Sequence, residues 1–523
     1  MGFGVVLDDM SDFIAPAQAC VLPMQIDARR TAMQIEVEDS DRAPAVAKVT
    51  LTDCLACSGC VTSAETVLIG QQSMLEFLSQ LRAGRVVIVS ISPAARASLA
   101  AHYSLTSMQA FAALTLAFGR LGCGHVLDCG LGSDISLLES AAEFVDRFRA
   151  AREGGRAGQL PLLSSSCPGW ICYAEKVHGV TLLPFISRVK SPQQVMGSLV
   201  RALLEGEEQG SAAGGEAGRA YHCAVMPCFD KKLEASRTDF SDKDDPERRD
   251  VDCVLSSAEV TAMLREAAIE VRALGLPDSS APGLPDSSTP GIPDSSLTES
   301  VSPGSGIPGS VVPRAGGSVV AQAAAAFQLA QLSNVDVAAG AFRVPPGGAG
   351  GYCEFVFRVA ALELFGIAIP DEQPLPWTEG RNADLREVRL VVDGEVRLTF
   401  ATAHGFRNIQ NVVRKMKGGK CAYDYVEVMA CPGGCLNGGG QVRPVADSGE
   451  SGKARLLKVR DAHHTSAGEA QLGWPSPDDV RLRALFAPGA LLAGGPMSDA
   501  SRALLHTQYH AREKLQSGLG IKW

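Results

Sequence analysis

The sequence lacks any uninterrupted apolar run near the roughly eighteen residues that a membrane-spanning helix requires, so no span is expected. It also lacks a surplus of positive charge. Its 48 Lys and Arg stand against 58 Asp and Glu, a formal net charge of -10, whereas binding to phosphate backbones asks for clustered cations. Nucleic acid is therefore not an expected partner, and the one basic stripe, Arg414, Lys415, Lys417 and Lys420, reads as a solvated helix face. The stretch from Met1 to Asp9 has no basic segment leading into an apolar run and no Arg-rich amphipathic pattern. Gly2 is not followed by Ser or Thr at position 6, so secretion, import and myristoylation are all unexpected. A cytoplasmic protein is the expectation, with the nucleus as a second compartment.

Cysteine is plentiful. Fifteen cysteines in a chain without export signals point to metal or redox chemistry rather than to a disulfide framework. A length of 523 residues exceeds what one hydrophobic core organises, so several structural units are expected.

Residues 1–75 carry the first cysteine group, and 76–274 then read as α/β. Arg85 to Ile91 has the apolar run of a buried strand, and Ser92-Pro93 opens a helix directly after it. Further strands are expected at Gln159 to Leu163 and Tyr221 to Met226, each running into a loop that holds a cysteine. Cofactor ligands at the carboxyl ends of strands are the usual arrangement in open α/β sheets. From Leu276 the motif Leu/Ile-Pro-Asp-Ser-Ser repeats with a period of eight, too short and too proline-rich for a solenoid, and 275–317 reads as a disordered insertion. A second lobe at 318–445 is expected to hold an Ala-rich helix near 318–333, a helix from Tyr352 to Phe365, a hairpin turning at Asp393-Gly394 and a helix from Phe406 to Lys417. Residues 446–523 read as polar linker and short helices.

Two thiol constellations carry the chemistry. Cys54-Leu-Ala-Cys57-Ser-Gly-Cys60 sets three sulfurs at equal intervals, so that one tight arc of backbone can present them to neighbouring corners of a cubane. Cys20 is the only cysteine upstream and is the natural candidate for the fourth. A structural zinc site would usually separate two C-x-x-C pairs by a long loop, which is not the spacing here. The second group is scattered over Cys167-Pro-Gly-Trp170, Met226-Pro-Cys228 and Cys431-Pro-Gly-Gly-Cys435. Together these give four thiols from three loops, closing over a buried cluster where two lobes meet. The glycine-dense run after Cys431 lets backbone N-H groups approach a bulky inorganic cluster. Lys231 could offset cluster charge and Glu234 and Glu427 could brace the loops, although for such residues a surface salt bridge is the default reading.

Cys167-Pro-Gly-Trp, Met226-Pro-Cys-x-x-Lys231-x-x-Glu234 and Glu427-x-x-x-Cys431-x-x-Gly-Cys435-x-x-Gly-Gly-Gly-Gln441 resemble, in order, the three signatures of iron-only hydrogenases. Ser191-Pro-Gln-Gln194 and Ser92-Pro-Ala-Ala-Arg96 are similar to further stretches of that fold. The match is nearer to the Nar family, the hydrogenase-like and nuclear prelamin A recognition factor-like proteins of cytosolic iron-sulfur assembly. It is carried by Leu51-Thr-Asp-Cys54-Leu-Ala-Cys57-Ser-Gly-Cys60 and Ser165-Ser-Cys167-Pro-Gly-Trp-Ile-Cys-Tyr-Ala-Glu175. The resemblance implies a two-lobed α/β fold of iron-only-hydrogenase type, with an amino-terminal ferredoxin-like region and a small-subunit-like helical tail. It implies two 4Fe-4S clusters, one held by Cys20, Cys54, Cys57 and Cys60 and a buried one held by Cys167, Cys228, Cys431 and Cys435. It also implies an assembly factor that takes a cluster from the cytosolic scaffold complex and passes it to a targeting complex containing a WD-repeat protein. Family members associate a carboxyl-terminal aromatic with that docking, and this chain ends Ile521-Lys522-Trp523, with Lys522 departing from the usual acidic or small residue.

A non-enzyme is expected. Hydrogenases carry a proton-donating cysteine immediately before the first-signature ligand, and this chain has Ser166, whose hydroxyl is far less acidic. Val442 replaces the usual proline after the Gln. The alternatives are an iron-only hydrogenase and a zinc-binding structural or nuclear interaction protein. Cys123, Cys129, Cys172, Cys223, Cys253, Cys353 and Cys421 read as small buried hydrophobes, with Cys172 the most suspect. His463-His464 reads as solvated, and Trp170 as packing over its loop.

Overall fold

The computed structural model describes residues 68–154, 159–205, 220–242, 245, 248–275, 348, 350–380, 382–444, 448–469, 474–475 and 479–511. Cys20, Cys54, Cys57, Cys60, the repeat at 275–317, the Ala-rich segment at 318–333 and the terminal Ile521-Lys522-Trp523 lie outside these residues, apart from position 275.

The first described helix, α1 (Met74–Arg82), is capped by Ser73, whose hydroxyl accepts from the Glu76 N-H. Strand β1 (Val87–Ile91) is buried along its whole length. It runs into α2 (Pro93–Tyr103), where Ser92 caps the Ala95 N-H and Pro93 sits where no hydrogen-bond donor is missed. Helix α3 (Ser107–Leu121) opens with a capping box between Thr106 and Gln109 and stops at Gly122, whose φ of 99° suits a residue without a β-carbon. Then follow β2 (His125–Asp128), the 23-residue α4 (Gly130–Arg152), β3 (Leu162–Ser164), α5 (Pro168–Tyr173) and α6 (Pro192–Glu205). The strand at β3 starts later than the expected Gln159 because Pro161 has no N-H to give to the ladder, whose first bond is Leu162 N-H to the Asp424 carbonyl.

The chain continues through β4 (Tyr221–Met226), α7 (Asp230–Ala235), β5 (Cys253–Ser256), α8 (Ser257–Glu266) and α9 (Val271–Gly275). It resumes with α10 (Tyr352–Phe365), β6 (Thr378–Glu379), β7 (Leu385–Val392), β8 (Glu395–His404), α11 (Phe406–Lys417), β9 (Tyr425–Met429), α12 (Gly452–Glu469), α13 (Val480–Phe486) and α14 (Asp499–Leu505). The hairpin between β7 and β8 turns at Asp393 and Gly394, both with positive φ, as a two-residue turn between right-twisted strands requires. Helix α12 is 18 residues long, so the tail is not made only of short helices.

Two sheets organise the molecule. One runs β2-β1-β4-β5 with every pairing parallel, and the other runs β3-β9-β8-β7-β6 with β3, β9 and β8 parallel. Parallel strands are covered on both faces, which is why β4 and β9 are buried at every residue. Apolar clusters pack on the two faces of each sheet. The sheets interleave along the chain: β3 lies between α4 and α5 in sequence yet joins the second sheet. From β1 the first sheet grows outward to β2 and, on the other side, to β4, so a crevice opens beyond the carboxyl ends of β1 and β4. Among the described residues no helix is long and apolar enough to cross a membrane.

Helix α6 fits against the strand lead-in at Asp250 only because residue 197 is glycine: a β-carbon there would stand 2.5 Å from the Asp250 carbonyl oxygen. Gly197→Ala is expected to lower stability by about 1–3 kcal/mol, an overpacking cost, measured as a shifted urea midpoint at unchanged slope.

Candidate cluster site

Each scattered thiol is delivered by the end of a parallel strand. β3 runs into Ser165-Ser166-Cys167, β4 into Pro227-Cys228, and β9 into Ala430-Cys431, with Cys435 on the short helical turn Gly434–Asn437 that follows. Cys167 caps α5 and is anchored by the Ser165 hydroxyl, which accepts its N-H at 3.0 Å and itself donates to the Val428 carbonyl in β9. Thus β3 and β9 set the spacing of two loops that sequence separates by more than two hundred residues.

The third loop is locked to the fourth thiol by glycine. A β-carbon on Gly438 would lie 2.3 Å from the Pro227 carbonyl oxygen, and one on Gly440 would lie 2.7 Å from Ser256 Cβ and 3.2 Å from Cys228 Cα. In their absence the Gly440 N-H reaches the Pro227 carbonyl at 2.9 Å and the Gly440 carbonyl accepts from Ala258. Gln441 completes the seam, donating to the Ala94 carbonyl and accepting from the Ser257 hydroxyl. The glycine run is a close-approach device first, and it brings the Cys228 loop against the segment that follows Cys435.

The four thiols gather. Burial pushes Cys167 up to about 12, and Asp230 and Cys435 add to the shift. Burial raises Cys228 well above its ordinary value, helped by Asp230, Cys431, Cys167 and Cys435. Cys431 is raised likewise, by burial and then by Cys167, while in Cys435 burial outweighs the lowering pull of Lys231. Protons held this tightly must leave when the thiols ligate a metal, so loading releases acid. Four buried thiols on separate strand-end loops, close enough to raise one another's pKa and with glycine backbone beside them, are a donor set that fits an iron-sulfur cluster.

The charged residues beside the thiols are not a surface ion pair. Lys231 and Glu234 are 5% and 7% exposed, their Nζ-Oε2 distance is 2.7 Å, and Ser191 links both, accepting from Lys231 at 2.9 Å and donating to Glu234 at 3.1 Å. Burial pulls the Lys231 pKa down, but Glu234 and then Cys228 and Cys435 outweigh it, so the ammonium is held charged. Glu427 is also buried, accepting the Cys353 N-H at 2.7 Å and lying 3.5 Å from His404. Buried pairs persist where geometry supplies hydrogen bonds, and removing one partner costs about 3–5 kcal/mol.

A cavity of about 80 Å³ adjoins Cys435, lined among others by Ser166, Lys231, Tyr352, Cys129 and His463. His463 is buried rather than solvated, because α12 lays Leu456 and Val459 onto Ala97 and Leu436 and turns the next helical face inward. The signal that could have found it is spacing: Leu456, Val459 and His463 stand at i, i+3 and i+7, on one helical face. Cys129, at the start of α4, is buried and pushed up to about 12 by burial first. Of the other unassigned cysteines, Cys223, Cys253 and Cys353 are buried, whereas Cys123, Cys172 and Cys421 are half-buried. Trp170 is fully buried beneath its loop, against the Tyr173 ring.

Residues 85–439 match the family described as iron only hydrogenase large subunit, C-terminal domain. The chain is 42% identical, over 99% of its length and 98% of the relative's, to the cytosolic Fe-S cluster assembly factor narfl of Xenopus tropicalis. At the same coverage it is 42% identical to cytosolic iron-sulfur assembly component 3 of Bos taurus. It is 38% identical to protein NAR1 of Arabidopsis thaliana, covering 96% of this chain and 95% of that one. Among solved structures, a variant of the apo FeFe-hydrogenase HydA1 from Chlamydomonas reinhardtii superposes with a TM-score of 0.61 over 84% of this chain and 99% of its own, at 24% identity. The shared fold is that of iron-only hydrogenases.

Burial, then His464 and Arg96, hold His463 down at about 3, below its ordinary 6.5. Between those values the unfolded chain binds a proton that the folded chain does not, so the stability His463 contributes is full above about 6.5 and is lost as pH falls toward 3. His463→Gln should flatten part of the acid-side decline in urea midpoint between those pH values, leaving the neutral-to-alkaline side unchanged in slope.

Proposed function

The chain belongs to the Nar family of hydrogenase-like cytosolic iron-sulfur assembly factors, and from that premise we propose that it binds two 4Fe-4S clusters and hands one on. The observation that carries the reading is the glycine-locked gathering of Cys167, Cys228, Cys431 and Cys435 at the ends of three parallel strands. In this reading the buried quartet holds a resident cluster, since its release would require the Pro227-Gly440 seam to part. Bound there, a cluster supplies one-electron redox capacity and a rigid cross-link between the sheets. Lys231 sits where it offsets the cluster's negative charge, and Ser191 and Glu234 hold Lys231 in place. The quartet Cys20, Cys54, Cys57 and Cys60 holds the exchangeable cluster, received from the cytosolic scaffold complex and passed to the targeting complex with its WD-repeat protein. Transfer proceeds by thiolate exchange, one acceptor thiolate displacing one donor thiolate at a time, each incoming thiol yielding its proton and each outgoing thiolate regaining one.

Ser166 supports a role outside hydrogen chemistry. It lines the cavity beside Cys435, its hydroxyl directed to the Met429 sulfur at 4.0 Å, and a serine hydroxyl does not relay protons near neutral pH as a thiol does. Protein produced together with hydrogenase maturation enzymes should evolve no hydrogen; evolution at rates typical of hydrogenases would sink the assembly reading.

Paired variants separate the quartets. Cys431→Ala should lose the buried cluster's iron and acid-labile sulfide and lower the melting temperature. Cys54→Ala should lose only the other cluster, melt near the parent protein and fail to mature a recipient enzyme. Equal melting of both variants would remove the resident role.

A further inference from the structure

Helix α11 buries Ile409, Val412 and Val413 and turns Arg407, Arg414, Lys415 and Lys417 outward, with Lys420 just beyond its end. On a chain of net charge -10, this is an unusual concentration of cations. Among the described residues Arg414 bonds only to Asn411, at 3.1 Å, Lys417 reaches His178 Nδ1, also at 3.1 Å, and neither is matched to a carboxylate.

An apolar groove borders this helix at Lys417. Its volume is about 190 Å³, and Pro161, Leu182, Phe185 and Met416 line it, with Lys417 and Cys421 at the edge. Thr181, Leu182 and Phe185 on the facing side follow one turn of π-helix, Ala174–His178, a form that recurs at functional sites. Val180 beyond it is 80% exposed and Val177 is 46% exposed. The groove also connects inward. Leu182, Phe185, Met416 and Cys421 belong to the same apolar cluster as Cys167, and Tyr173 on α5 packs on Trp170, His178 and Phe406.

We propose that this groove and its cationic rim form a docking surface for an acidic segment of a partner protein, with one apolar side chain seated between Phe185 and Met416 and carboxylates on Arg414, Lys417 and Lys420. Charge selects that occupant. The chain's own terminal residues carry Arg512, Lys514 and Lys522 against Glu513 and would be repelled, whereas an acidic segment is attracted. Opposite charge steers encounter and fixes register, while the apolar anchor supplies the buried contact. The inference goes beyond the assembly reading and requires neither cluster.

The test uses the full chain and a fluorescein-labelled peptide of Asp and Glu with one central leucine, followed by anisotropy. Binding should weaken as salt rises, and roughly five- to tenfold with Arg414→Glu combined with Lys417→Glu or when the peptide's leucine becomes serine. The neutral pair Arg414→Gln and Lys417→Gln should give an intermediate loss. Iron content and melting temperature should stay unchanged in all variants, so that a loss of binding is not a loss of fold or cluster. The proposal is overturned by absence of peptide binding, by binding indifferent to the charge reversal or the leucine, or by phosphatidylserine vesicles binding as tightly with the same variant dependence.

Discussion

The close approach of Gly438 and Gly440 to Pro227 is the constraint on which the site depends. No side chain larger than hydrogen leaves room for the Gly440 N-H to reach the Pro227 carbonyl, and without that bond the loop bearing Cys228 has no fixed relation to the loop bearing Cys435. The two parallel sheets each place their own loops well, because strand spacing is set by backbone hydrogen bonds. Between the sheets there is no ladder, and the glycine seam takes its place. The Ser257-Gln441-Ala94 bonds extend it to the start of α2, so the crevice beyond β1 and β4 is closed on one side by the same loop that supplies two of the thiols.

Charge is arranged around that seam so that burial is tolerated. Lys231 stands among the thiols while Glu234 and Ser191 hold its ammonium, and Arg237 in the next turn pairs with the buried Glu175 at 2.7 Å. Lys231, Glu234, Glu175 and Arg237 each have a counter-ion and at least one further hydrogen-bonding group, the condition under which desolvation is offset. The result is a site whose walls are rigid and whose thiols, in the metal-free state, keep their protons.

Much of this was legible in the residues. The helices Tyr352–Phe365 and Phe406–Lys417, the strand Tyr221–Met226 and the turn at Asp393-Gly394 follow from apolar period, glycine stops and turn chemistry, and the structure shows them at those bounds. That Cys167, Cys228 and Cys431 stand in loops after strands was legible because each follows an apolar run and is flanked by proline or glycine. Other features were not. A Lys-x-x-Glu pair on one helical turn looks the same on a surface as in an interior, and only tertiary packing by α6 buries Lys231 and Glu234. His463 sits in a polar stretch, and its inward turn depends on α12 docking over the Cys435 loop and Ala97 of α2, the latter far away in sequence. The groove beside α11 was half legible: the cations are plain in the sequence, and the apolar floor supplied by Phe185 and Leu182 is not.

Under the proposed function, four thiols on three strand-end loops hold a cubane rather than a single ion. The most direct measurement is iron K-edge X-ray absorption on anaerobically purified protein in which Cys20, Cys54, Cys57 and Cys60 are all replaced by Ala. The account predicts iron in all-sulfur coordination with the iron-iron scattering of a 4Fe-4S cluster. Zinc in place of iron, or iron with no iron-iron vector, would contradict it.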